Sequence, residues 1–388
     1  MNLLYMGSLV SFHAQNTIKA FSRSGYMVTA LNINKEYFVE RIDELPFFGN
    51  ITNLYEGIEF NNNIKDKAIK SVRRTLNITR LSSTNREIRK RIRKIFRDNW
   101  FDVIYCVWGS GVVPEIEMIQ EENLKIPIIH ELLTYPYNTA WWKVVWENYF
   151  YGRVVKNING RIHCSHNMYK YMDNHFDLKG GKDVVLMTYF SKDYFWSKRL
   201  PLLSDTDSEP HIIFIGRTDF SRNRPLDDVR NQIFEISKEK IHIHLAETNA
   251  NMKHSNYIHT FPRFESKKMI DGSLANFMTQ FDACIVLYNI NRECDRFRNS
   301  LPSRFLFALT AGIPIIMREV YFKSCEEIIN RYKIGFSYKN IYELRAMLAN
   351  KKLMDKYRQN AIVLAPNFTF EKNFHKLEKF IHEVAKQK

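Results

Sequence analysis

Short apolar runs alternate with polar, helix-length stretches along most of the chain. In the first half Leu3–Met6, Met27–Asn32, Phe101–Trp108, Ile126–His130 and Gly160–Ser165 read as strands, and Ala14–Ser24 reads as a helix. The second half repeats the pattern. Strands are predicted at His211–Gly216, Ile241–Ala246, Tyr257–Phe261, Ala283–Tyr288, Ile313–Met317 and Gly335–Tyr338. Helices fall near Leu226–Ser237, Leu274–Gln280 and Ser303–Thr310, and three more close the chain at Ile341–Ala349, Leu353–Leu364 and Phe370–Ala385. Strand and helix in alternation predict parallel sheets covered by helices on both faces.

A polar break, Leu203-Ser204-Asp205-Thr206-Asp207-Ser208-Glu209-Pro210, separates the halves and reads as a linker. The fold class expected is α/β, with two Rossmann-like doubly wound parallel-sheet domains facing a cleft. Ligands of such sheets bind at the carboxyl ends of the strands, so candidate chemistry lies just after each strand.

Composition supports a large globular core: of 388 residues 45% are hydrophobic, with 28 Phe, 20 Tyr and 6 Trp. Five cysteines without metal-ligand spacing read as reduced thiols of a cytosolic protein. No apolar run is long enough to span a membrane. The opening Met1-Asn2-Leu3-Leu4-Tyr5-Met6-Gly7 reads as a first strand and not as a leader. Charge changes the picture more. The net charge is +15, and residues 64–97 hold thirteen Lys or Arg against Asp66 and Glu87. Ile88, Ile92, Ile95 and Phe96 fall at helical spacing in that segment, which predicts one apolar stripe on a basic helix.

Two loops of the second half suit an anion. Gly216 allows a sharp turn after a strand, and Arg217, Arg222 and Arg224 follow within eight residues. A guanidinium grips phosphate oxygens in pairs. The other is the polar opening of "NSLPSRFLFALTAGIPIIM", where Ser300, Pro302, Ser303 and Arg304 precede an apolar helix whose free N–H groups attract negative charge. In the first half Gly7-Ser8 follows the first strand, with His13 close behind, and Gly109-Ser110-Gly111 follows another. The absence of G-x-G-x-x-G counts against a nicotinamide or flavin dinucleotide. His130 ends a strand, where it can serve a substrate or cap a loop.

Taken in order, "HIIFIGRTDFSR", "YIHTFPRF…LANFMTQFDACIVLY" and "LPSRFLFALTAGIPIIM" resemble the donor half of GT-B glycosyltransferases of the retaining, GT4-like kind. "FDVIYCVWGS", "IPIIHELLTY" and "NGRIHCSHNMYKYM" resemble their acceptor half, and "APNFTFEKNFHKLEKFI" their closing helices. The resemblance implies an acceptor-side domain over 1–203, a linker over 204–210, a donor domain over 211–366, and a helix over 367–388 that crosses back to the first domain. It places donor-diphosphate contacts on Gly216, Arg217 and Arg222, the glycine loop on Gly7 and Ser8, and the contact to the transferred sugar on His130. Two glutamates of that family fall here on Ser300 and Phe307, neither a carboxylate, with Glu293 and Asp295 nearby as substitutes for the ribose contact.

The expected activity is sugar transfer from a nucleotide-sugar to a glycan or lipid-linked acceptor, in cell-surface polysaccharide or glycoconjugate synthesis. No cofactor and no essential metal are expected, and Asp205-Thr206-Asp207 reads as polar linker. Residues 64–97 would meet an anionic membrane from the cytoplasmic side. The alternative is a non-catalytic GT-B-fold partner of another transferase. A nucleic-acid-binding role lacks a base-reading motif.

Overall fold

The computed structural model describes residues 1–9, 11–33, 50–55, 83–122, 124–218, 220, 225–248, 251–319 and 321–386. Arg222, Arg224 and the basic residues between 64 and 82 lie outside them. The first sheet contains β1 (Asn2–Gly7), β2 (Met27–Asn32), β3 (Asn50–Asn53), β4 (Val103–Val107), β5 (Ile128–Leu132), β6 (Gly160–His163) and β7 (Lys182–Val185). The second contains β8 (His211–Phe214), β9 (His242–Ala246), β10 (Ile258–Phe261), β11 (Ala283–Val286), β12 (Ile315–Arg318) and β13 (Gly335–Tyr338). The orders are β3-β2-β1-β4-β5-β6-β7 and β10-β9-β8-β11-β12-β13. Every pairing is parallel.

Helices cover both faces of each sheet. They are α1 (Phe12–Arg23), α2 (Ser83–Asp98), α3 (Val113–Glu121), α4 (Trp141–Val154), α5 (His166–His175), α6 (Ser204–Asp207), α7 (Arg230–Lys238) and α8 (Ser266–Ile270). The chain continues through α9 (Ser273–Met278), α10 (Asp295–Asn299), α11 (Ser303–Ala311), α12 (Lys323–Tyr332), α13 (Ile341–Ala349), α14 (Lys351–Leu364) and α15 (Phe370–Ala385). One face of the first sheet packs on α2–α5. The other packs on α1 and on the last helix, whose Phe370, Leu377, Phe380, Ile381 and Val384 join Leu3, Tyr5 and Phe21 in one core. Gly160 permits that approach: a Cβ there would stand 2.8 Å from Val384 and 3.1 Å from Phe380.

The polar edge strand β7 is held by charge. Arg161, fully buried, forks onto Asp183 at 2.8 and 2.7 Å, and His163 Nε2 meets the same carboxylate at 2.7 Å.

The chain enters the second half earlier than the polar break predicts. Phe190 and Tyr194 already belong to the core of the second sheet. Trp196 donates its N–H to Thr310 O, and Leu203 its own to Gln280 O. The expected linker over 204–210 begins as the helical turn α6. It is tied down by Asp282, which accepts from Ser204 Oγ and the His211 N–H, each at 2.7 Å.

All nine residues of α11 except Ser303 are buried, and Gly312 ends the helix in the left-handed region at φ +57°. Phe307 faces the crossing chain, with its ring 4.9 Å from that of Phe190. A carboxylate at 307 would be sealed in this apolar contact. Phe307→Glu is therefore expected to destabilise the fold by more than about 3 kcal/mol. Guanidinium unfolding of the purified variant checks it; an unchanged midpoint would place residue 307 in a wet pocket instead.

Candidate active site

In both sheets the strand order reverses beside a central strand, at β1/β4 and at β8/β11. Crevices open at such switch points, on the carboxyl side. Gly7 and Ser8 leave β1 at the first; Gly216 and Arg217 leave β8 at the second. Arg217 is exposed, with no ion pair or hydrogen bond among the described residues.

Arg304 occupies a different position. It is buried on the first turn of α11, donates to Leu287 O, and pairs with Asp227 at 2.9 Å. Its guanidinium lies between the rings of Tyr288, 3.9 Å away, and Phe214, 4.9 Å away. It also covers Gly216, where a Cβ would come within 2.8 Å of its Nε. Gly216 and Arg304 are thus brought together, but Arg304 braces the loop with its amino groups already engaged.

The polar entrance of α11 faces the other half of the molecule. Ser165, the N-cap of α5, donates to Asn299 O at 2.5 Å. Asn299 Nδ2 donates to Tyr135 O, and Asn167 donates to Glu327 Oε1 at 3.0 Å. Ser300 is buried with no hydrogen-bond partner for its hydroxyl among the described residues, whereas Ser303 is exposed behind the N-cap residue Pro302. Of the expected ribose substitutes, Glu293 lies 3.5 Å from Arg298 in an ion pair, and Asp295 opens α10.

A cavity of about 340 Å³ lies at the carboxyl ends of β11, β12 and β13. Tyr288, Tyr321, Phe322 and Tyr338 supply aromatic surface, Arg318 and Lys339 supply cations, and Gln232 and Glu235 come from α7. Leu287 and Tyr288 line it and also contact Arg304, the side chain that covers Gly216. Sequence reading missed it because its lining comes from four separated segments.

In the first half the alternation of β5 separates two neighbours. His130 points to the α4 side and is fully buried. Its Nε2 donates to Trp108 O at 2.7 Å, so its Nδ1 accepts from Tyr151 OH at 3.2 Å. Both nitrogens are occupied, and the ring presents no surface to a sugar. Glu131 points the opposite way and accepts from Tyr105 OH at 2.6 Å and His13 Nε2 at 2.7 Å. His13 Nδ1 has no partner among the described residues. His13 and Glu131 line a cavity of about 20 Å³, room for one water, closed by Thr188 and Asn373. His13 was visible after the first strand; its partner was hidden beside the more conspicuous His130.

The basic helix also differs from expectation. Ile88, Ile92 and Ile95 are buried as the spacing predicts. However, Arg89, Arg91, Arg93 and Arg97 pair with Glu121, Glu87, Glu122 and Asp98. Arg86, Lys90 and Lys94 stay exposed without a carboxylate partner among the described residues. The more distinctive surface is on α4, which buries Glu147, Tyr151 and Val154 and exposes Trp141, Trp142, Val145, Trp146 and Tyr149 along one face. Trp141 is 75% exposed. Helices α2, α3 and α4 lie side by side, since α3 pairs with α2 through Arg89–Glu121 and with α4 through Arg153–Glu117.

No protein-family model matches the chain, and no curated protein matches it in sequence. Solved structures do. The chain is similar to sucrose-phosphate synthase from Thermosynechococcus elongatus, with a TM-score of 0.67 at 10% identity over 99% of both chains. It is similar to the Anabaena protein HepE in complex with UDP, with a TM-score of 0.63 at 10% identity over 99% of this chain and 100% of that one. A third is the lipopolysaccharide outer core galactosyltransferase WaaB, with a TM-score of 0.61 at 10% identity over 99% of both. The architecture is GT-B: two doubly wound parallel sheets, as in these glycosyltransferases.

Burial and the opposing imidazole of His163 push His130 down to about 4, against the hydrogen bond to Trp108. In the unfolded chain the ring takes its proton near ~6.5. Between those values the unfolded state binds the extra proton, so stability falls as pH drops from 6.5 toward 4 and loses nothing more from this group below. The full window amounts to roughly 3 kcal/mol. Denaturant unfolding at pH 7 and 4.5 should show a smaller loss in His130→Gln, whose amide can still donate to Trp108 O. Equal losses in both proteins would exclude His130 as the titrating group.

Proposed function

We propose that the chain is a glycosyltransferase that moves a sugar from a nucleotide-sugar donor to a hydroxyl of a glycan or lipid-linked acceptor, in cell-surface polysaccharide or glycoconjugate assembly. One observation carries the reading: an exposed Arg217 leaves the switch-point strand of the second GT-B sheet, and a cavity of about 340 Å³ lined by aromatic rings lies at the carboxyl ends of β11, β12 and β13 of the same sheet. The rings offer a nucleobase stacking surface, and Arg217 meets the diphosphate. That HepE, similar in fold, was solved with UDP supports a nucleotide diphosphate there.

In the transfer, the bond from the anomeric carbon to the diphosphate breaks and negative charge grows on the leaving oxygen. Arg217, with Arg222 as a second cation, stabilises that charge, so no metal is required. Gly7, Ser8 and the α11 entrance border the closing cleft, which excludes water from the donor. The resemblance carries retention of configuration. His13, its Nε2 held by Glu131 and its Nδ1 buried, takes no part in that step. The anomeric coupling in the first product, read by proton NMR, checks retention.

Arg217→Ala should lower kcat/KM with a natural donor by roughly 10²–10³, the range for losing one donor to a developing anion. Its thermal midpoint should not change, because the side chain is exposed. A thermal-shift screen against UDP-, GDP-, ADP- and CMP-sugars identifies the donor. Absence of both binding and donor hydrolysis would leave the non-catalytic partner.

The acceptor side is proposed to dock on a bilayer at the cytoplasmic face through α4. Tryptophan and tyrosine prefer the membrane interface, and Lys143, Lys90 and Lys94 lie on the same helical layer. Trp141→Ser/Trp142→Ser/Trp146→Ser should weaken flotation with phosphatidylglycerol vesicles by at least roughly tenfold. Each ring withdraws on the order of 100 Å² from water, about 2 kcal/mol. Undiminished flotation would transfer the contact to the basic segment.

A further inference from the structure

Four of the chain's 12 histidines meet at the amino edge of the donor sheet. The parallel register places His211 beside His242 and His244 beside His259, all on one face. The rings of His211 and His242 stack 4.2 Å apart at 6°. The connection arriving from the first half adds two carboxylates. Asp207 Oδ2 lies 2.9 Å from His211 Nε2 and 3.6 Å from His242 Nε2, and Glu209 Oε2 lies 3.0 Å from His242 Nε2. The ligand atoms of Asp207, His211 and His242 all fall within 4.8 Å of one another.

We propose that Asp207, His211 and His242 bind one divalent transition-metal ion of the zinc class, which fastens the interdomain connection to the donor sheet, with Glu209 beside His242 accepting from a water in the fourth position. Two imidazole nitrogens and a carboxylate oxygen are a donor set such an ion takes, with a fourth ligand completing tetrahedral order. The edge of that tetrahedron is about 3.3 Å for bonds of about 2.0 Å, and the spacings of Asp207 from His211 and His242 bracket it.

The outer histidines supply the rest. His211 Nδ1 lies 3.0 Å from His244 Nε2, and His242 Nδ1 lies 2.7 Å from His259 Nε2. With a metal on each Nε2, both Nδ1–H groups donate to those partners, which sets the ligand tautomers and ring planes. The competing arrangement has protons on the Nε2 atoms, donating to the carboxylates. It explains the hydrogen bonds but gives no reason for two carboxylates to converge on two stacked rings. The site is no part of the transfer chemistry. His211 begins β8 and Gly216 follows its far end, five residues or roughly 16 Å away.

The test uses the full chain without a polyhistidine tag, stripped with EDTA and held at pH 7.5. Zinc chloride should bind with one equivalent of saturable heat at micromolar affinity or tighter and raise the thermal midpoint. Cobalt(II) in the same site should give the intense visible d–d bands of a tetrahedral ion. Asp207→Asn/Glu209→Gln, at two partly exposed positions, should abolish all three signals. His259→Phe, which touches no metal, should weaken zinc by roughly 10–100-fold. His254→Ala, an exposed histidine outside the cluster, should change nothing. No saturable heat, or binding that survives the double substitution, would overturn the proposal in favour of the proton network.

Discussion

The first sheet cannot close its own core. One of its faces is covered by α1 and by a helix from the other end of the sequence, α15, so the N-terminal half depends on residues 370–384. This constraint sets the architecture. The chain must cross between the halves twice, and the two crossings meet: Phe190 bridges Thr369 in parallel, and Phe370 donates its N–H to Phe190 O at 2.8 Å. Ser191 Oγ adds a hydrogen bond to Glu371 at 2.6 Å. Phe307 packs on this pair from the second half, so its ring belongs to the junction of the two crossings.

Repeating strand and helix signals made the fold legible because buried parallel strands are short, apolar and regularly spaced. The elements that escaped break that pattern for physical reasons. β7 is "KDVV", an edge strand whose Asp183 is held by Arg161 and His163. β3 is "NITN", fastened partly by Asn32 to Asn53 at 2.8 Å. Helix α4 was hidden because its aromatic stripe faces outward. A pattern rule expects such rings inside. The break at 204–210 misled because its polar residues make contacts to Asp282 and the histidines.

Of the candidate site, the placement of Gly216 and Arg217 directly after a strand was legible, because a glycine and cations follow an apolar run. The surroundings of His130 were not, since one step along β5 exchanges a sealed histidine for the Glu131 that holds His13. The histidine cluster is less visible still. Its members span 48 positions, and strand register alone aligns them.

Charge distribution gives the carboxyl edge of the second sheet its sign. Arg304 is buried but neutralised by Asp227, so it contributes shape more than field. Arg217, Arg263 and Arg318 are exposed after β8, β10 and β12, all at the carboxyl end of one sheet. Arg263 is partly engaged, donating to Glu247 O and Thr218 Oγ1. Along the same edge Glu319 is answered by Lys339 at 3.8 Å. The remaining cations are spread along that edge from β10 to β12 and make it positive toward an approaching anion. On α2 the opposite holds: four of its seven basic residues are matched by carboxylates, so a charge excess counted along the sequence overstates the field at that surface.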